Sequence, residues 1–199
     1  MNGSFGLAVA EVATGAERTA WDPMAVDSAE LVRVFAAVAG GDLDALAAVY
    51  DACAGDLFAL ALWRTGSRDD AADAVQEVFV RLAQRASGLG RVREPRAYLL
   101  AMAHSAAVDI LRRRRKTVDV SDALVEAVTA DPANTADASR LSGLLRALPA
   151  AQREAVWLRH FGELSFAQVG QVTGVPTFTA ASRYRLGIRR LRKLLGVRP

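Results

Sequence analysis

The sequence predicts an all-α protein: two small helical domains joined by a flexible acidic linker. Three observations lead there. Forty of the 199 residues are alanine and only two are isoleucine, which favours helix because alanine loses no side-chain entropy when the backbone coils. Apolar residues recur at helical spacing on either side of a central stretch with few large apolar residues. The charge falls into blocks that follow the same division. With 52% apolar and 24% charged residues, the composition is that of a globular chain and not a disordered one.

Residues 1–25 mix Gly, Thr, Ala and acids without period and read as a disordered leader, with Met1 or Met24 as the start. From Ser28 to Ala39, Leu31, Val34, Phe35 and Val38 share one helical face, and Gly40-Gly41 stops it. Asp42 or Asp44 can cap the next helix, whose stripe runs through Leu46, Val49, Tyr50, Cys53, Leu57, Leu60 and Ala61 towards Trp63. Ser67 or Asp69 caps a third, with Ala72, Val75, Val78, Phe79 and Leu82 inward and Asp73, Gln76, Glu77 and Val80 on another side. Ser87–Gly90 reads as a loop. Pro95 suits a first helical turn, where its missing donor costs little. The helix it opens, about Arg96 to Arg115, points Leu100, Ala103, Ala107, Ile110 and Leu111 inward. Residues 117–139, with a short possible helix around Leu124–Val128, form the linker. The domains are therefore expected at 26–116 and 140–199.

The net charge of +3 hides a strong alternation. Residues 1–90 carry 6 basic and 13 acidic side chains, and residues 91–116 carry 8 and 2. Residues 117–139 have 5 acids and no Lys or Arg, while residues 140–199 carry 11 basic and 2 acidic side chains. Two basic blocks around an acidic one suggest two contacts with a polyanion, joined by a tether it repels.

The C-terminal block has a form suited to that contact. Leu148-Pro149 opens a helix that Gly162 ends. Ser165 and Gln168 fit a capping box before a short helix that stops at Thr173-Gly174. After Val175-Pro176, Thr177 can cap a long final helix. Two helices around a glycine-containing turn make a helix-turn-helix, whose second helix enters the major groove. With Ala180, Tyr184, Ile188 and Leu191 packed, Thr177, Thr179, Ser182, Arg183 and Arg185 remain for base edges and phosphates, and Arg189, Arg190 and Arg192 for phosphates further along.

Three stretches in this order resemble the extracytoplasmic-function sigma factors, small bacterial promoter-recognition subunits. Asp69–Leu82 is similar to the family's acidic helix, which implies polymerase binding through Asp70, Asp73, Gln76, Glu77 and Val80. Pro95–Arg113 is similar to the helix that reads and opens the −10 element, implying Arg96, Tyr98, Ser105, Asp109, Arg112 and Arg113 for that task. Asp109 can pair with Arg112 or Arg113 to fix a fork for phosphate. The helix-turn-helix resembles the unit that reads the −35 element. The final helix departs from the family's "GTVKSRLSRA" at Phe178, Ala180, Ala181, Tyr184, Arg185 and Leu186, and Tyr98 and Ser105 stand where Trp and Asn are usual. The resemblance implies an alternative sigma factor that recruits core RNA polymerase, reads both promoter elements and opens the duplex, under a cognate anti-sigma factor.

A polymerase-independent helix-turn-helix repressor would explain only the C-terminal half. An enzyme is not expected. His104 and Asp109 are five residues apart and do not face one another well, and no glycine-rich phosphate loop or metal spacing occurs. Hence no cofactor and no metal site are expected. Cys53, the single cysteine, excludes an internal disulfide or a cysteine-built zinc site, and reads as a small buried hydrophobe. His104 reads as an exposed polar residue and His160 as structural. Residues 1–20 lack the pattern of a signal peptide. The uncharged stretch Ala97–Val108 is too short to span a bilayer. Both point to a cytoplasmic protein with no membrane insertion of its own.

Overall fold

A computed structural model describes residues 27–117, 144 and 147–196. The expected leader, the acidic linker beyond Thr117 and the helix around Leu124–Val128 lie outside the described residues. Among those described are seven α-helices, one 3-10 turn and no strand. In chain order they are α1 (Ser28–Ala39), α2 (Ala45–Thr65), α3 (Arg68–Gln84), the 3-10 turn (Ala86–Arg91) and α4 (Pro95–Thr117). After the linker come α5 (Ala150–His160), α6 (Phe166–Thr173) and α7 (Thr177–Leu194).

Capping fixes several boundaries. The cap residue of α2 is Asp44, whose side chain makes no cap bond, while Asp42 Oδ1 accepts from the Ala45 amide at 3.2 Å. The Ser67 hydroxyl accepts from the Asp70 amide at 3.4 Å and starts α3. At α7 the expected cap is corrected: Thr177 is already helical, and Pro176 is the cap residue with no side-chain bond. A proline there holds the extended backbone, ψ 148°, that a cap needs. The expected loop at Ser87–Gly90 is wound into the 3-10 turn against α1.

Helices α2, α3 and α4 meet through Ala61, Ala71, Ala74, Ala106 and Ala107, each no more than 1% exposed. Such small side chains let three helices approach closely. Ala72, expected inward, is exposed and its neighbours Ala71 and Ala74 take the core positions. Tyr50 is likewise half outside the stripe it was assigned to, at 52% exposure. Helix α2 is long and apolar enough to cross a membrane by length and composition. The uncharged-run criterion misses it because Asp51 and Asp56 interrupt it. Here its apolar face, from Val49 to Ala61, is the middle of the core.

The two helical units are docked. One continuous apolar cluster joins Leu57, Leu60, Leu99 and Leu100 of the first unit to Trp157, Leu158, Leu164 and Val169 of the second. Burying each of the leucines is worth about 1.5–3 kcal/mol relative to exposure. A second cluster, Leu148, Val156, Ile188 and Leu191, holds α5 against α7.

The helix-turn-helix depends on one close approach. A Cβ at Gly170 would sit 2.6 Å from the Val175 carbonyl oxygen, a backbone atom. Gly170→Ala should therefore destabilise the protein by about 1–3 kcal/mol through forced backbone movement. Urea unfolding checks this, and an unchanged midpoint would show that the turn yields freely.

Candidate nucleic-acid interface

Three surfaces carry the residues singled out in the sequence. The first is the outer face of α3. Asp73, Gln76 and Val80 are exposed there, Val80 by 43%. Glu77 is half-buried, its Oε1 accepting from Arg81 Nε at 2.6 Å. Asp70 does not join them. It is buried, with Oδ1 3.0 Å from Arg114 Nη2. Burial pushes its carboxyl above the usual range, Arg114 opposes that, and Asp73 and Asp69 add to it. Asp70 is a strut between the start of α3 and the end of α4. Beside this face the rings of Tyr50 and Phe79 are in contact, centroids 4.9 Å apart. Helical periodicity had placed both inward.

The second surface lies along α4. Ser105, Arg112 and Arg113 are exposed. Asp109 faces Arg81 across the helices at 3.9 Å, and Arg113 Nε donates to the Asp109 main-chain carbonyl at 3.4 Å. The expected carboxylate–guanidinium fork is thus replaced by a contact to α3. Tyr98 is half-buried and packs edge-on against Phe35, centroids 6.4 Å apart. Arg96 is turned away from solvent. Its Nη1 donates to Glu163 Oε2 at 2.9 Å and its Nη2 to the Phe161 carbonyl at 3.2 Å.

The third surface is the helix-turn-helix. The capping box forms, with Ser165 Oγ accepting from the Gln168 amide at 3.3 Å and the Gln168 side chain accepting from the Ser165 amide at 2.7 Å. Gly174 takes the left-handed conformation, φ 69°, that glycine adopts freely. His160 is structural as expected: its Nε2 lies 3.0 Å from the Tyr184 hydroxyl. Burial and then the Arg159 charge depress the His160 pKa, and burial raises that of Tyr184. On α7, Thr177, Arg185, Arg189 and Arg190 are exposed, while Thr179, Ser182 and Arg183 are half-buried.

The seam between the units is where most of the unanticipated chemistry lies. Residues 140–199 contain only two acids, Glu154 and Glu163, and both serve the seam. Glu154 Oε1 lies 2.8 Å from His104 Nε2 and 3.7 Å from Arg64 Nε, with its side chain 10% exposed. Desolvation alone would raise the Glu154 pKa. The His104 contact and the charges of His104, Arg64 and Arg183 more than reverse this and hold it below the ordinary carboxylate value. His104 is therefore enclosed, not an exposed polar residue. Gln168 Nε2 also donates to Glu94 Oε2 at 3.1 Å, so the capping residue doubles as a bridge. No group of three metal-ligating side chains occurs among the described residues.

Comparison with known proteins follows the same division. The family model for Sigma-70 region 2 matches residues 49–117, and that for Sigma-70, region 4 matches residues 139–191. The chain is 30% identical over 180 residues to the ECF RNA polymerase sigma factor SigK of Mycolicibacterium vanbaalenii, covering 85% of this chain and 91% of that protein. Against SigK of Mycobacterium tuberculosis it is 29% identical over 179 residues, covering 85% and 96%. Among solved structures, it is similar to the sigma factor RpoE of Bartonella quintana in complex with the anti-sigma factor NepR, at 26% identity and a TM-score of 0.65. That match covers 73% of this chain and 93% of the other. CnrH, solved with the cytosolic domain of CnrY, shares the fold at 22% identity and a TM-score of 0.59, over 85% and 99% of the two chains.

Proposed function

The chain belongs to the extracytoplasmic-function RNA polymerase sigma factors, and we propose how its surfaces divide that work. It is an alternative sigma factor that binds core RNA polymerase and promoter DNA, a regulatory role carried out in the cytoplasm where both reside. The acid-bearing face of α3, with Asp73, Gln76, Glu77 and Val80, docks on polymerase, with Tyr50 and Phe79 as its apolar edge. Tyr98, Ser105, Arg112 and Arg113 of α4 act at the −10 element. Thr177, Thr179, Ser182, Arg183, Arg185 and Arg189 act at the −35 element.

The observation that carries this reading is the coexistence, in one chain, of the exposed acidic α3 face with two arginine-bearing helices. A repressor needs only the last of these. Affinity for DNA comes chiefly from arginine–phosphate contacts, so promoter binding falls steeply with salt, whereas discrimination comes from base edges.

In the docked form Arg96 faces Glu163, and Arg183 lies within electrostatic reach of Glu154. Engaging DNA exchanges these carboxylates for the promoter, so the seam opens when both elements are read. A cognate anti-sigma factor would act on the same surfaces.

Run-off transcription with purified core polymerase tests the reading: a promoter-specific transcript is expected, and its absence would leave the repressor. Within that assay, Arg183→Ala should lower transcription roughly tenfold from promoters that depend on the upstream element, the loss of about 1–3 kcal/mol typical of a base-contacting arginine. Assembly with polymerase should be unchanged. Loss of assembly instead would remove Arg183 from the −35 surface.

A further inference from the structure

The side chain of Phe178 is unexplained by packing. It is the second residue of α7 and 74% exposed, the most exposed large hydrophobic among the described residues. A single exposed apolar side chain on an ordinary surface requires no account. This one stands among Thr177, Thr179, Ser182, Arg183 and Arg185, at the end of the helix that presents base-reading groups.

It is also held. The Arg185 guanidinium carbon lies 5.9 Å from the Phe178 ring centroid, within the range of a cation–π contact. Arg185 Nε in turn donates to the Ala181 carbonyl at 3.3 Å, which fixes the arginine from the other side. Two turns separate residues 178 and 185. Arg185 spans them because side chains on a helix lean towards its N-terminus. Ring and guanidinium therefore form one unit with an apolar and a cationic part, and no acid occurs anywhere between Thr177 and Leu194 to repel a nucleic acid.

In the major groove three of the four bases offer only donors and acceptors, while thymine also offers its C5-methyl group. The hydroxyl and guanidinium groups around this helix end serve the donors and acceptors. Thr177 and Thr179 carry a methyl each, but Phe178, 74% exposed, offers by far the largest apolar surface for the thymine methyl. We infer that Phe178 reads a thymine methyl group in the upstream promoter element, with Arg185 holding the ring against the groove edge. The assignment rests on the sigma-factor reading and adds to it one base preference and the group that sets it.

The test uses the full chain assembled with bacterial core polymerase, and linear duplexes randomised over the upstream element. Holoenzyme with the native chain should enrich duplexes with thymine at one position. Holoenzyme carrying Phe178→Ala should lose the preference there and keep it elsewhere. In the enriched duplex, replacing that thymidine with deoxyuridine removes only the methyl. Binding by the native holoenzyme should weaken about fourfold, the contribution of one buried methyl-sized group. The Phe178→Ala holoenzyme should bind both duplexes equally, and Phe178→Leu, which keeps an apolar contact, should still distinguish them. Equal native binding to thymidine and deoxyuridine duplexes, or the same base preference in both pools, overturns the assignment. If the native chain yields neither an enriched pool nor a run-off transcript, the sigma-factor reading itself falls and takes this one with it. A transcript without thymine sensitivity sinks Phe178 alone.

Discussion

Reversing two charges on α3, Asp73→Lys with Glu77→Lys, should abolish stable assembly with core polymerase. A like-charge clash across a protein interface costs several kcal/mol, so affinity should drop at least about thirtyfold. The fold should survive. Asp73 is exposed, and the surface pair that Glu77 forms with Arg81 is of a kind worth only about 0.3–0.5 kcal/mol. Arg81 keeps Asp109 as its second partner. Co-purification with polymerase and circular dichroism together check both halves of the expectation. Assembly within twofold of the native chain would move the docking surface off α3. Asp70 is unsuitable for this test, because reversing it would break the contact with Arg114 and confound docking with folding.

Replacing Glu154 with alanine should have the largest effect on the seam. The substitution leaves Arg64 and His104 without the carboxylate between them. Removing one member of a buried charged set costs about 3–5 kcal/mol. With Arg64 28% exposed, solvent recovers part of that, and a loss of roughly 2–3 kcal/mol is expected. Urea unfolding measures it, and small-angle scattering should show a larger radius as the units part. Unchanged stability together with unchanged scattering would mean that the seam does not depend on this charge.

The same group sets a pH dependence whose sign follows from its depressed pKa. Its contribution is complete above the ordinary carboxylate value and drains away as pH falls through the lower folded-state value. Urea unfolding of the native chain should therefore show this contribution lost as pH falls through that value, and Glu154→Gln should lack that part of the pH dependence.

Much of this molecule was legible before any coordinates. Helices were readable because alanine-rich segments leave periodicity as the main signal, and their starts because Ser67, Ser165 and Gln168 cap by local rules. The exposed arginines of α4 and α7 followed from the packed stripes opposite them. The errors share a physical cause: periodicity says which face of a helix is apolar, not what covers it. Asp70 and His104 each lie on a polar face that another helix happens to close, with Arg114 and Glu154 as the partners. Arg96 meets Glu163 across 67 residues of sequence, a separation no local pattern encodes. The one sequence trace of these contacts is that so basic a segment as 140–199 retains two acids at all. The expected partnership of Asp109 with Arg112 or Arg113 assumed contacts along one helix, whereas Arg81 on the neighbouring helix lies closer to hand.

Cys53 is fully buried in α2, and its thiol is pushed up to about 12, by burial first and the nearby Asp56 charge second. At neutral pH about one molecule in 10⁵ carries the thiolate, the form that reacts with oxidants and alkylating agents. Peroxide and maleimide should therefore leave the Cys53 sulfur of the folded protein unreacted and attack it only once the core opens. An oxidative stimulus therefore does not register on this sulfur while the fold is closed. The same inertness makes Cys53 an internal clock, because its rate of labelling counts how often the core comes apart.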